Sequence, residues 1–511
     1  MGSIRLLFAF LASFISGAKL PIPQTQPEYA GGQSRSGVFQ ELTLTPANVA
    51  TNAFHKQFTL TLDGQQIYAQ PLFVQGVTIG AGTYDLVIVA TLNDSVFAFD
   101  ANAVSQLWQV SLGSPYVNYP GRGGADDALY AQNVGCASTP VVDRANGVLF
   151  VVCASAPSGT WTLYELSIAT GGTIASKTIT GQFPGTGMSG DTVVSGKVQF
   201  QAGQHLQRTG LTIVNGVIYF AFASYGDSSP WHGWVFGYNE SDLSQAAVFC
   251  TTPNGKYGGI WMTGNALPVD SSGNLYATTG NGDYDGSSNF ANSVIKLSSS
   301  LQVVDWFTPS NWSSLESNDF DVTSGRVILL GDGNIISGGK DYREFLLNTN
   351  CMGHLQGSNN SCTNQIWTVP GSGHEGIFGG VFFNSTIFLP VNSGPIYRYP
   401  YSGAGGGTVT VSIPVTTSAT FGHPGARMAV SANGTANAIL WATTCVNPSN
   451  ATPQAGILRA FNPATLAEIY NSTTSGADTL GTLAKLGSPL IVSGRVWVPT
   501  GDGTVVVYGL N

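Results

Sequence analysis

"VFAFDANAVSQLW", residues 96–108, and "LRAFNPATLAEIY", residues 458–470, have the same layout: an apolar strand, a polar turn and a second strand ending in an aromatic. With Ala98 set on Ala460, Asp100 falls on Asn462, Ala103 on Thr465 and Trp108 on Tyr470. Recurrence across most of a chain is an architectural signal and has to be settled before any site is read. The stretch is the second half of a longer unit whose first half also recurs. That half is a short apolar strand after Pro or Gly, a turn, and another apolar strand. Units begin at Gln70, Ser138, Thr209, Asn265, Gly325, Gly379, Arg427 and Gly487. Third strands such as "SVFAFD", "TLYELS" and "VVVYGL" follow, and mostly a fourth.

Four short strands repeating about every 40 to 50 residues predict an all-β fold, an eight-bladed β-propeller. The eighth unit ends at Asn511 after three strands, while "FTLTLDG" from Phe58 stands before the first unit. The ring is therefore expected to be closed by an N-terminal strand in the last blade, which removes an exposed edge. The expected organisation is a signal peptide over 1–18, an N-terminal extension over 19–54 and a single propeller over 55–511. Trimming residues 19–34 should then be silent. The small Ala98 or Ala460 would let the aromatic at the eleventh position pack against a neighbouring blade.

Composition agrees. The 511 residues include 65 Gly, are 43% apolar and only 9% charged, which suits many short buried strands joined by turns. A net charge of −9 with 19 basic residues and no basic cluster excludes nucleic acid and anionic membrane surfaces as partners. Arg5 precedes "LLFAFLASFI", and Ser16-Gly17-Ala18 supplies the small residues of a cleavage site, so the protein is expected to be secreted. No later stretch has the apolar length of a membrane span. N-x-S/T acceptors at Asn93, Asn239, Asn311, Asn359, Asn384, Asn433, Asn450 and Asn471 fit glycosylation in a eukaryotic, fungal-type pathway. Six cysteines suit an oxidising compartment. Cys136 with Cys153 and Cys351 with Cys362 are the expected disulfides, leaving Cys250 and Cys445, and no spacing suggests zinc.

WD40 and kelch signatures are not regular here. The spaced Ala-x-Asp, Thr-Gly and Trp of the corner motif resemble the quinoprotein alcohol dehydrogenases, the pyrroloquinoline quinone (PQQ) repeat superfamily. The repeat resemblance runs from Phe58 to Asn511. Within it, "GGIWMTGNALPVDSSGNLYATTGN", residues 258–281, is similar to the segment in which a Trp forms the floor under PQQ and a Thr-Gly-Asn strand end binds calcium. The resemblance implies Trp261 as stacking platform and Asn281 as a Ca2+ ligand. An indole face suits a flat quinone, and a hard cation needs oxygen ligands. "SGGKDYREFLLNTNCMG", residues 337–353, places Lys340 where a cation touches the quinone oxygens and stabilises charge arriving with hydride.

Other positions depart from the family. Its calcium-binding Glu falls on Ser228, with Asp227 the nearest acid, and its catalytic Asp falls on Ser287, with Asp285 and Asp283 nearby. "NGDYDG" also has the 1,3,5 oxygen spacing of a calcium loop, in Asn281, Asp283 and Asp285, although Asn292 stands at the twelfth position. The family's adjacent-cysteine pair is missing. His232, His374 and His423 lie in polar loops of the kind that carry ligand-binding groups. The leading expectation is a monomeric oxidoreductase acting on an alcohol or carbohydrate hydroxyl, with PQQ and Ca2+ as cofactors and Asp285, Asp283 and Lys340 as catalytic groups. Two alternatives stay open: a non-catalytic propeller binding a small ligand or glycan, and a pathway enzyme that kept the fold but changed the chemistry.

Overall fold

Strands form where the sequence places short unbroken apolar runs, because both faces of each run are covered. In Val148–Ser155, Leu149 and Val151 pack toward the first sheet while Phe150 and Val152 pack toward the third. Such a strand shows no polar alternation. The structure is a computed structural model that describes residues 25–64, 66–122, 133–371, 376–412, 414–445 and 454–511. The expected signal peptide lies outside them.

All eight units form antiparallel sheets in simple meander order. The first contains Leu72–Ile79, Gly82–Ala90, Ser95–Asp100 and Gln106–Ser111, and the second runs from Val141–Asp143 to Thr173–Thr178. A three-stranded insert, Gln182–Pro184 with Val193–Val194 and Lys197–Gln199, stands between the second and third. The fourth sheet adds His354–Gln356 in parallel to its outer strand. In the last, Thr504–Leu510 pairs antiparallel with the N-terminal strand Phe54–Thr61. Apolar clusters lie between each successive pair of sheets, from the first and second through to the sixth and seventh. One further cluster joins Trp441 of the seventh, Trp497 of the eighth and Phe97 of the first.

The repeated stretch is a repeated corner. Ala98 pairs with Trp108 and Ala460 with Tyr470, each followed by the same register shift. Val104 and Leu466 both take positive φ in the turn, and the side chains of Asp100 and Asn462 each accept from the backbone two residues on. The aromatic reaches the next sheet in both copies. Trp108 Nε1 donates to Ile168 O (3.0 Å), and Tyr470 packs edge-on against Tyr508 (6.3 Å).

The described part of the expected N-terminal extension is woven into the sheets rather than trailing from them. Each sheet's first strand pairs with its own unit along one edge only, and in the seventh Val38–Gln40 pairs in parallel along the other. Residues 26–41 supply acceptors along the other. Gln26 bridges Phe73 of the first sheet. Backbone N–H groups of Val142, Val269, Leu329, Phe382 and Val430, in the second and fourth to seventh, donate to the carbonyls of Pro27, Gln33, Ser34, Ser36 and Gly37. Gln33 Nε2 reaches Ile213 O of the third sheet (3.0 Å), and Glu41 Oε2 accepts from Gly494 of the eighth (3.0 Å). Arg35 is the buried anchor: its guanidinium donates to Glu28, Tyr29 O, Gly32 O, Leu267 O and Thr212.

The expectation that residues 19–34 could be trimmed silently is therefore corrected, because residues 26–34 alone bond to the first five sheets. Both expected disulfides form, and Cys250 and Cys445 are buried thiols. Removing one partner of a buried ion pair leaves the other uncompensated. Arg35→Ala should accordingly lower unfolding stability by about 3–5 kcal/mol, measured as the denaturant midpoint. Deleting 25–41 should lower it further, and an unchanged midpoint in either protein would overturn this account of the segment.

Candidate functional site

In a meander the loops from second to third strand, and from fourth strand to the next sheet, emerge on one rim. Chemistry-bearing residues concentrate there. Trp261 lies between the third and fourth sheets, and Asn281 between the second and third strands of the fourth. Asp319, Asp321 and Thr323 lie between the fourth and fifth, and Lys340 in the corresponding loop of the fifth. The short helix Trp312–Asn318 ends on Asp319, which takes the left-handed conformation (φ 56°), and Asp321 opens the turn Val322–Ser324.

Four of these groups converge. Asn281 Nδ2 donates to Asp319 Oδ1 (2.7 Å) and its backbone N–H to Asp321 Oδ1 (2.8 Å). Lys340 Nζ bridges the remaining oxygens, Asp319 Oδ2 (3.1 Å) and Asp321 Oδ2 (2.8 Å). Asn292 Nδ2 holds Asn281 Oδ1 at 3.2 Å. Gly280 is required, since a Cβ there would lie 2.8 Å from Asp321 Oδ1. Thr323 Oγ1 ties this cluster to Trp261 by accepting from its backbone N–H (2.9 Å). The half-buried indole carries the Arg208 guanidinium 5.2 Å from its ring centre.

More basic groups line the same rim. Burial, reinforced by the charges of Lys485, Arg427 and Lys340, pushes His423 down to about 3, so it is neutral at pH 7 and donates Nδ1–H to Asn392 Oδ1 (2.9 Å). Burial, opposed by Tyr29 and reinforced by Arg208, lowers Arg427 to about 10, which leaves it charged at neutral pH.

The remaining expected site residues have other work. Asp285 holds its own loop: its carboxylate accepts from Ser287, Ser288 and Asn289 through both backbone and side-chain donors, at 2.8–3.0 Å. Burial raises its pKa, but those bonds to Asn289, Ser288 and Ser287 prevail and hold it far below the usual carboxylate range. A carboxylate held so low is a weak base. Asp283 Oδ2 accepts from Lys256 N (3.1 Å), and Asp227 Oδ1 from Ser224 Oγ (3.2 Å); neither bonds to Asn281. His232 is a buried bracket, joined to Asp191 Oδ2 (2.8 Å) and Thr252 Oγ1 (2.9 Å). His374 lies outside the described residues. Among the glycosylation candidates Asn359, Asn384 and Asn433 are exposed, Asn93, Asn239, Asn311 and Asn471 are half-buried, and Asn450 lies outside the described residues.

Asp319 and Asp321 stand outside the sequence expectation, whose acids are Asp227 and the neighbours of the Thr-Gly-Asn end. The signal was the pair in "SNDFDVTSG", carried on the loop of the following sheet.

No family model matches the sequence, and no curated protein does. Solved structures do. A quinohemoprotein alcohol dehydrogenase from Comamonas testosteroni superposes with TM-score 0.61 at 12% identity, covering 95% of this chain and 80% of its own. One from Pseudomonas putida HK5 gives 0.62 at 11%, with the same coverage. A europium-containing methanol dehydrogenase gives 0.60 at 12%, covering 96% and 99%. The fold is a β-propeller. At these identities the likeness is one of architecture, and the propeller's chemistry has to be argued from its own rim. Among the described residues no helix of the propeller is long and apolar enough to cross a membrane.

Because the folded carboxyl of Asp285 lies below its unfolded value, its contribution to stability is present above the unfolded pKa of about 4 and is lost as the pH falls through the folded value. Asp285→Asn should therefore lower Tm by roughly 1–3 °C at pH 7, with the gap from the unmodified protein closing below pH 4. A gap that persists under acid would refute this role.

Proposed function

We propose that this propeller is a secreted, quinoprotein-like oxidoreductase that oxidises an alcohol or sugar hydroxyl, with PQQ seated on Trp261 and Ca2+ at Asn281. The observation that carries the reading is the convergence of Asn281, Asp319, Asp321 and Lys340 beside a half-buried indole. We infer further that the eight sheets are the blades of one ring closed by Phe54–Thr61, that residues 1–18 direct export, and that the ring acts as a monomer.

The donor set fits a hard cation: two carboxylates and an amide oxygen, held by Asn292 and Gly280 rather than by loose loops. When bound, calcium and quinone supply Lewis-acid polarisation and the hydride acceptor. The chain's own groups do the rest. Trp261 offers a flat platform whose backbone is pinned by Thr323. Asp321, 9% exposed, is the better shielded acid and takes the hydroxyl proton at Oδ2. That oxygen lies 2.8 Å from Lys340 Nζ, which fixes its orientation. Lys340 meanwhile keeps positive charge where negative charge develops. Asp283, Asp227 and the Asp285 loop stay at the edge of the arrangement.

Purified protein given PQQ and calcium should quench tryptophan fluorescence and reduce a dye in the presence of alcohols or sugars. Trp261→Ala should remain folded and lose quinone binding. Loss of a general base costs about 10² to 10⁴ in rate, so Asp321→Asn should lower turnover at least a hundredfold while quinone affinity is kept and Asp285→Asn turns over normally. Full activity in Asp321→Asn would reject it as the base. Failure to bind quinone, with the fold intact, would replace this reading by the ligand-binding propeller.

A further inference from the structure

Between the fifth and sixth sheets lies a group of buried polar atoms that the rim chemistry does not use. Arg326, Gly338 and Glu344 stand two residues from Ile328, Ile336 and Leu346, which pack toward the sixth sheet, so the Arg326 and Glu344 side chains share that face with Gly338 between them. Trp367, the cross-strand neighbour of Glu344, and Tyr399 of the sixth sheet join the same interface. Arg326 is 1% exposed and Glu344 fully buried. The two residues meet only because Gly338 and Gly380 carry no side chain, since a Cβ on either would collide with Glu344 or Arg326.

None of these groups satisfies another. Arg326 Nε, Nη1 and Nη2, both Glu344 carboxyl oxygens, Trp367 Nε1 and Tyr399 Oη all lack a hydrogen-bond partner. Arg326 Nη1 approaches Glu344 Oε1 only to 3.9 Å, beyond hydrogen-bond length. A buried guanidinium that makes no hydrogen bond and has its counter-charge no nearer than 3.9 Å is unfavourable and calls for an unseen ligand. The donors set its chemistry: five guanidinium N–H, one indole N–H and one phenol O–H share the interface with a single carboxyl group. Water accepts as many bonds as it donates and so leaves the surplus of donors in place, whereas an anion only accepts.

We propose that the fifth and sixth sheets enclose a site for a small monovalent anion, chloride by its chemistry, held on the Arg326 guanidinium with Trp367 Nε1–H and Tyr399 O–H completing the shell. Burial, opposed by Arg326 and reinforced by Asp341, pushes Glu344 up to about 7, so near neutral pH the pocket is often cationic. The other titratable groups facing the pair are Tyr399, with Tyr397 beside it, and Tyr29 toward Arg326. Protonation of Glu344 and anion uptake therefore reinforce one another. The anion is a structural ligand of the blade interface, and this inference does not depend on the quinone reading.

The test is thermal unfolding of the full chain at constant ionic strength, with sodium chloride or bromide replaced by sodium gluconate, at pH 6 and pH 8. Halide should raise Tm by about 2 °C or more, and more at pH 6. Glu344→Gln should keep the halide effect and lose its pH dependence, and Tyr399→Phe should weaken the effect. Crystals soaked in bromide should show an anomalous peak within hydrogen-bond reach of Arg326, which decides the matter should Glu344→Gln fail to fold. Equal Tm in halide and gluconate, or ordered water only at that position, overturns the proposal.

Discussion

The first strand of every sheet has one edge that no strand of its own unit covers, and such edges cannot be left bare of acceptors. Residues 26–41 meet that constraint with a single stretch of chain whose carbonyls take the N–H groups of Val142, Val269, Leu329, Phe382 and Val430 in turn. Arg35 fixes its path by donating to three neighbours from its own turn, Glu28, Tyr29 O and Gly32 O, and to Leu267 and Thr212 across it. Relative placement of the sheets follows from this shared contact as much as from the apolar clusters between them. Small shifts of one blade are resisted by bonds that belong to the others.

The rim inherits that rigidity. Asn281, Asp319, Asp321 and Lys340 come from loops of two adjacent sheets, and their mutual distances hold only while those sheets keep their angle. Thr323 extends the same dependence to Trp261 by accepting from its backbone while donating to Thr278 O. A site assembled across a blade boundary is as exact as the packing of Tyr276 and Val294 against Ile335 and Phe345 beneath it.

How far the sequence reached can be followed residue by residue. The strands of all eight units were legible because buried runs and αL turns leave local marks, such as the positive φ shared by Val104 and Leu466. Pairing of "FTLTLDG" with the last sheet was legible because its absence would leave an edge. Trp261, Asn281 and Lys340 could be picked out by resemblance, whereas the acids beside them could not. Asp283 and Asp285 lie nearest in sequence, yet the loop of the next sheet brings Asp319 and Asp321 nearer in space. Nothing local distinguishes an acid that closes its own loop from one that points into a neighbour's. The threading of residues 26–41 was equally invisible, since its bonds are made by backbone carbonyls that any sequence would carry.

Pairing of Phe54–Thr61 with Thr504–Leu510 also sets a timetable for the chain as it is made. The strand emerges before the first seven units, and its partner only after them. At ribosomal rates of 5–20 residues per second, the interval is roughly 20 to 90 s. During that time Phe54, later buried among Trp441, Tyr470 and Tyr508, has no place to dock. A nascent chain carrying an unpaired strand for so long is a natural client for holding factors, and cell lines deficient in them should lose yield of this protein before they lose its fold.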